Sequence, residues 1–540
     1  MARTPLMNRL IETLRHASAA ADARPEAAGL SRRQVLAGAI ALGSTVATAT
    51  GCSDAPGAAE AMNVGQRHAS VRGVTADIGI VGAGIAGLAC AYELKRAGVT
   101  ATLHEAATRS GGRIWSMGGA FSGPVSFPGQ VVERGGELID TPHKAMLGYA
   151  REFGLALEDI TKPLRETRYL FDGALVPERT MVDEYRVLVD AMRDDLRLSS
   201  GAPTADSFNA HDAYLDSISL AEYLALRGAP PNIRKLLTVA YTIEYGLDVT
   251  QQSALAFLLF AKASKQSKLR LWGNFSDERY HVVGGNQQIV DGIAARLPGQ
   301  IRLGRRLVAA RKTSAGRVEL TLKEGNKTVT ATHDAVVFAL PFNILRDVAL
   351  DASLGLSAAK RYAIDNTVYG TNAKLMVGFA GRPWVDVGAN GSTYSDLPYL
   401  QASWETNPSN ASATRAVITD YAGGALGASL STATTRADAE RFVAAFDAIF
   451  PGVRAKVRRD ASGNIVAHTQ AWPSDPNTKG SYTANAIGYF TRIAGNEGKA
   501  AGNLYFAGET TDSFYSWQGF MEGGALSGIR AMNEVVRDWG

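Results

Sequence analysis

Apolar and polar positions follow two different periods along the chain, and each change of period marks an element. Ile78, Ile80 and Val81 form a short apolar run of the kind a buried parallel strand shows. Gly82-Ala83-Gly84-Ile85-Ala86-Gly87 follows at once, and Ile85, Leu88, Ala89 and Tyr92 then recur at helical spacing. Gly98 closes that predicted helix, and Val99 to His104 predicts a second strand with Glu105 at its end. From 159 to 282 the pattern turns helical, as in Ala254, Leu255, Leu258, Leu259 and Lys262. Beyond it, Ile289, Ile293 and Leu297 share one helix face after a pair of glycines, and Ile301 to Leu303 predicts a strand. Two alternating runs, Val318 to Leu322 and Thr328 to Ala331, predict a hairpin, and Asp334 to Pro341 a further buried strand. Leu375, Val377 and Phe379 alternate as in a sheet, while Phe442, Phe446 and Ile449 belong to a helix. Leu504 to Phe506 is a last strand, and Glu522-Gly523-Gly524-Ala525 opens a last helix.

The first of these units has a chemical reading. Gly82 permits a tight turn, Gly84 lets backbone approach a pyrophosphate, and Gly87 lets helix and strand pack closely. The helix N-terminus offers unpaired N–H groups and the positive end of a dipole, and Glu105 accepts ribose hydroxyls. A glycine-rich turn alone would not need the strand, helix and acid in this register.

Composition narrows the field. At 540 residues, 46% hydrophobic and 20% charged, the chain suffices for two domains with their own cores. Its two cysteines, Cys52 and Cys90, cannot build a disulfide framework or a zinc site; Cys90 reads as a small buried residue of the first helix. Eight histidines with no HExxH spacing argue against a metal enzyme, and no metal ligands are expected. Residues 1–51 carry +3 of the formal charge of +4, from six arginines against Glu12, Asp22 and Glu26. The nearly neutral remainder argues against nucleic-acid binding.

The N-terminal stretch reads as an address. Ser31-Arg32-Arg33-Gln34 precedes a mildly apolar run from Val35 to Thr50, the form of a twin-arginine signal, against the alternative of a basic amphipathic helix. Cleavage fits either Ala47-Thr48-Ala49 or Ala59-Glu60-Ala61, and Thr50-Gly51-Cys52-Ser53 partly resembles a lipoprotein box. The expected destination is the periplasm or the medium, with the twin-arginine machinery as a partner. Residues 1–52 are thus the signal region and 53–75 a small, polar linker.

From residue 77 to the end the chain resembles the flavin amine oxidases, the family of monoamine, polyamine and L-amino-acid oxidases. The resemblance rests on the glycine fingerprint, Gly111-Gly112-Arg113, VVGGNQQ at 282–288, ALP at 339–341, Lys374 before a strand, Trp472 with Gly480-Ser481-Tyr482, and the terminal AGET and GFMEGG blocks. It implies an α/β fold: a discontinuous Rossmann-like FAD-binding domain, 76–158, 283–345 and 468–540, with an inserted α+β substrate domain, 159–282 and 346–467. It also implies that Gly82, Gly84, Ile85, Ala86, Gly87, Glu105, Ala106, Gly112, Arg113, Gly135, Gly136, Glu137, Leu307, Trp472, Gly508, Glu509, Gly519, Phe520 and Met521 bind FAD. Ser481 stands where monoamine oxidases carry the cysteine bonded to the flavin, so the FAD is expected to be non-covalent. Ala107 departs from the basic residue usual two positions after the ribose acid, which implies that the adenosine end is held differently.

For catalysis the resemblance implies that Lys374 holds a water at flavin N5 and that Tyr482 and Phe520 flank the route to the ring. Glu244 falls in a register that puts it on the cavity wall, where a buried acid would favour a basic ligand. Leu138 replaces the arginine that L-amino-acid oxidases use for the α-carboxylate. The implied reaction is oxidative deamination of a primary or secondary amine with dioxygen reduced to hydrogen peroxide. An L-amino-acid oxidase, an amine dehydrogenase with another acceptor and a flavin-binding protein without turnover stay open, as does a second copy of the chain as partner.

Overall fold

The computed structural model describes residues 75–162, 165–262, 277–408, 414–512 and 517–540. The Arg32-Arg33 pair, both cleavage candidates, Cys52 and the linker lie outside the described residues. No helix among the described residues is long and apolar enough to cross a membrane.

β1 (Ile78–Val81) is buried along its whole length, as a strand with apolar cover on both faces must be. β2 (Ala101–His104) lies parallel to it, and β3 (Ile301–Arg302), β4 (Ala335–Phe338) and β5 (Leu504–Phe506) join from later in the chain. The result is a five-stranded parallel sheet in the order β5-β4-β1-β2-β3. Four helices matter for the site: α1 (Ile85–Arg96), α2 (Lys144–Glu152), α3 (Pro231–Tyr245) and α4 (Met521–Trp539). Ile80, Leu88, Cys90, Val337, Ala525 and Met532 share one buried cluster, which ties α1 and α4 to the sheet. Order of the strands in space, rather than in sequence, makes this unit discontinuous.

Two glycines shape the passage from β1 to α1. Gly82 has φ +103°, and a Cβ there would lie 2.5 Å from the carbonyl oxygen of Ala339. At Gly87 a Cβ would lie 1.9 Å from the carbonyl oxygen of Gly82, so any side chain would push the helix off the strand.

The predicted hairpin is present, paired from Val318↔His333 to Glu324↔Lys327, and belongs to a four-stranded sheet with Arg305–Lys312 and Ala349–Leu350. Because Ala349–Leu350 pairs with Ala309–Ala310, this unit runs past the expected boundary at 345. A seven-stranded sheet forms the inserted unit, with Ala373–Phe379 between Ala416–Ala422 and Ala467–Ala471. Leu375, Val377 and Phe379 face the helix Thr435–Ile449, packing on Phe442 and Phe446, while Met376 faces Phe127 and Val132. The sheet keeps Ala467–Ala471, so the inserted unit extends to 471 rather than 467. That strand is buried throughout and reads AHTQA, which carries no alternation to announce it.

Candidate active site

The turn after β1, the loop after β2 and the N-terminus of α4 surround a cavity of about 430 Å³. Of the expected residues, Gly82, Gly84, Ile85, Ala86, Glu105, Ala106, Gly112, Arg113, Leu307, Trp472, Gly508, Glu509, Phe520 and Met521 line it. α1 begins at Gly84 with no side-chain cap and no acid in its first turn, so its first amides are left for an anion. An added Cβ would have its nearest neighbour 3.8 Å away at Gly84 and 3.9 Å away at Gly508. Nothing in the protein fills those two places, and a side chain at either would occupy the cradle.

Glu105 is fixed by its own loop. Its Oε2 accepts from Ala83 N at 2.7 Å and its Oε1 from Ala107 N at 2.7 Å. Burial pushes its carboxyl above the usual carboxylate range, opposed by those two amides and by the charges of Arg109 and Arg306. Arg113 crosses the cavity floor: its Nη1 donates to Ser481 O at 2.7 Å and to Glu509 Oε1 at 3.0 Å. Glu509 also accepts from Gly519 N at 3.0 Å, so one carboxylate joins three separated stretches of chain. Gly519 itself stands behind the wall, against the ring of Tyr482.

Gly135 and Gly136 form the next layer. A Cβ at Gly135 would lie 2.9 Å from the Trp472 ring, and one at Gly136 2.5 Å from Met521 Sδ, so both support wall residues. Lys374 lies behind them. Its Nζ donates to Glu133 O at 3.1 Å, Gly135 O at 2.9 Å and Glu137 Oε2 at 2.6 Å. Three acceptors occupy the three donors of the ammonium, and Lys374 does not line the cavity. In this arrangement it fixes the Gly135 layer. Glu137 likewise serves as its counter-ion, with Trp404 Nε1 donating to the other carboxylate oxygen at 3.0 Å.

Tyr482 and Phe520 are placed by different means. The Tyr482 hydroxyl donates to Glu244 O at 2.6 Å and lies 3.0 Å from the Tyr421 hydroxyl. Phe520 caps α4, borders the cavity and meets His143 edge-on at 5.3 Å. A smaller cavity of about 10 Å³ is lined by Tyr245, Ala256, Leu259, Phe260, Thr483, Asn485, Phe490 and Gln518. Glu244 is buried and borders neither of these two cavities, whereas its neighbour Tyr245 borders the smaller one. One residue along α3 turns a side chain by about 100°, enough to exchange acid for phenol. Ser481 Oγ donates to Asn372 Oδ1 at 2.6 Å.

Several wall residues carried no advance signal. Trp115 is covered by Arg109 at 3.9 Å and Arg134 at 3.3 Å from its ring centre. Arg305, Arg306, Asp475 and Asn477 close the other side. Cationic side chains in the motif's neighbourhood were the available hint, but their direction depends on strands far apart in sequence. Among the described residues no cluster of three or more His, Cys, Asp or Glu could hold a metal ion.

A glycine turn, a ribose acid and a second helix N-terminus around one cavity define a dinucleotide-binding protein of the flavoprotein class. The chain belongs to the family of flavin-containing amine oxidoreductases, whose family model matches residues 85–536, and FAD is its cofactor. A flavin-dependent L-tryptophan oxidase of Lentzea aerocolonigenes is 26% identical over 491 residues, covering 84% of this chain and 97% of that one. A pseudooxynicotine dehydrogenase of a Pseudomonas species is 24% identical over 532 residues, covering 94% and 96%. Among solved structures, cyclohexylamine oxidase of Brevibacterium oxydans superposes with a TM-score of 0.70 at 21% identity, covering 86% of this chain and 99% of that one. Putrescine oxidase bound to putrescine gives 0.69 at 20% identity with the same coverage.

Proposed function

We propose that the protein oxidises a primary or secondary amine lacking an α-carboxylate. The substrate carbon loses a hydride equivalent and its nitrogen a proton, and water converts the imine to a carbonyl compound plus ammonia or a smaller amine. Dioxygen takes the two electrons and two protons as hydrogen peroxide. When bound, FAD supplies the two-electron acceptor between them.

The observation that carries this reading is Leu138, buried where an L-amino-acid oxidase would place its carboxylate-binding arginine. An α-carboxylate brought to that position would lose its water without a charged partner, whereas a neutral amine leaves no charge to pair. Tyr482, held through its hydroxyl, presents a fixed ring, and Phe520 stands at the large cavity; both restrict the approach of the amine. The N-terminus of α4, beginning at Met521, favours negative charge developing beside it. In aerobic turnover of a simple amine, peroxide and carbonyl product should appear in equal amounts. Carbonyl product without peroxide, dependent on an added electron acceptor, would replace the oxidase by a dehydrogenase, the activity in the name of the pseudooxynicotine relative.

Export through the twin-arginine route is proposed from Arg32 and Arg33. That route carries proteins already folded around a cofactor, which suits an FAD enzyme. Replacing both arginines by lysine should leave the enzyme in the cytoplasm, and unchanged activity outside the inner membrane would refute the assignment.

A further inference from the structure

We propose that Arg306 holds the adenosine diphosphate end of FAD, supplying from a distant strand the cation that position 107 lacks. The inference rests on FAD as the cofactor and concerns only how this chain grips it.

The start of the strand Arg305–Lys312 is lashed to the ribose-acid loop. Gly304 N donates to Ala107 O at 3.0 Å, and Arg305 N donates to Glu105 O at 2.7 Å. Ala107 and Arg306 therefore border the same corner of the cavity, and both line it. Arg305 and Arg306 both border the cavity, but their side chains find different partners. Arg305 pairs with Glu324 at 3.3 Å. Arg306 turns to the last segment of the chain, where its Nη2 donates to Asn477 Oδ1 at 2.5 Å and its Nη1 to Pro476 O at 3.3 Å.

Those acceptors are neutral, so they orient the guanidinium without cancelling its charge. A guanidinium has more donors than these two bonds use, in the planar fork that suits a phosphate. The other cations beside the motif are otherwise engaged. Arg109 donates to the carbonyls of Ser110, Gly112 and Ile114 while covering Trp115, and Arg113 is tied to Ser481 O and Glu509. Arg306 also lies near enough to Glu105 to act on that carboxyl, which places its charge at the ribose end of the cavity. An anion arriving beside Glu105 meets a repelling carboxylate, and Arg306 offsets it.

The test titrates apoprotein with FAD and, separately, with FMN, reading the quenching of flavin fluorescence. Arg306→Met keeps the aliphatic stem and removes the charge. Loss of one charge-assisted contact should raise the Kd for FAD by roughly ten- to a hundredfold. The Kd for FMN, which has no adenosine half, should stay within about twofold, inside the scatter expected of an untouched site. Adding Ala107→Arg to Arg306→Met should restore most of the FAD affinity, because the cation returns to the same corner. Unchanged FAD binding in Arg306→Met, or equal losses for FAD and FMN, would overturn the proposal. Should Arg306→Met not fold, Asn477→Ala leaves the arginine unanchored and should weaken FAD severalfold but not FMN. Equal behaviour of both flavins in that variant would overturn it too. Binding of FAD by the parent protein in the same titration separates this proposal from the cofactor assignment itself.

Discussion

Lys374 and Glu137 are both almost wholly buried, and their charges meet at 2.6 Å. Removing one member of such a pair leaves the other charge stranded in the interior. Lys374→Met should therefore cost about 3–5 kcal/mol of stability, read as a lowered melting temperature of the flavin-loaded protein. Glu137→Gln in the same chain should recover part of the loss, since the amide keeps an acceptor for Trp404 Nε1 without a charge. A double variant no more stable than Lys374→Met would mean the pair is not what holds the Gly135 layer. The lysine was legible as a position to single out, because it stands at the start of a sheet-like run inside a recognisable block. Its partners were not: Gly135 and Glu137 lie 239 and 237 residues away, and no local pattern encodes that meeting. At Glu244 helical register fixes a side chain's angle only to about a third of a turn, and it is the neighbouring Tyr245 that borders the smaller cavity.

At the scale of elements, the join between α2 and α4 has a titratable centre. Glu522, in the first turn of α4, accepts from Ala145 N at 2.8 Å and Met146 N at 2.9 Å at the start of α2. Both helix dipoles favour the ionised form, yet burial dominates and pushes the carboxyl from 4.5 up to about 7. The folded state thus binds this proton more tightly than the unfolded chain does. Its contribution to stability is greatest at low pH, falls as pH rises from about 4.5 through about 7, and stays low above that. Glu522→Gln should flatten the fall in melting temperature over that window relative to the parent. Parallel curves would show that Glu522 ionises freely in the folded state. Elements with a clear period, such as α1, β4 and the 318–333 hairpin, were legible from their own residues. The strand Ala467–Ala471 was not, because a strand buried on both faces loses its alternation.

Over the whole molecule, what was legible follows from how far apart the interacting parts lie. The turn, helix, second strand and acid are consecutive, so β1 to Glu105 could be read directly. The cavity they border is completed by Arg306, Asn477 and Trp115, brought in by sheet topology. Folding therefore decides which distant residues border the cofactor cavity. The most direct test mixes the FAD-loaded enzyme with substrate under strictly anaerobic conditions and follows bleaching of the yellow flavin. Each amine is paired with the α-amino acid that differs from it only by the carboxylate. Rapid bleaching by the amine, with the amino acid slower by about tenfold or more, is the result that Leu138 in place of an arginine predicts, since a stranded carboxylate costs about 1.4 kcal/mol or more. Faster bleaching by the amino acid, or none by any amine, would contradict it.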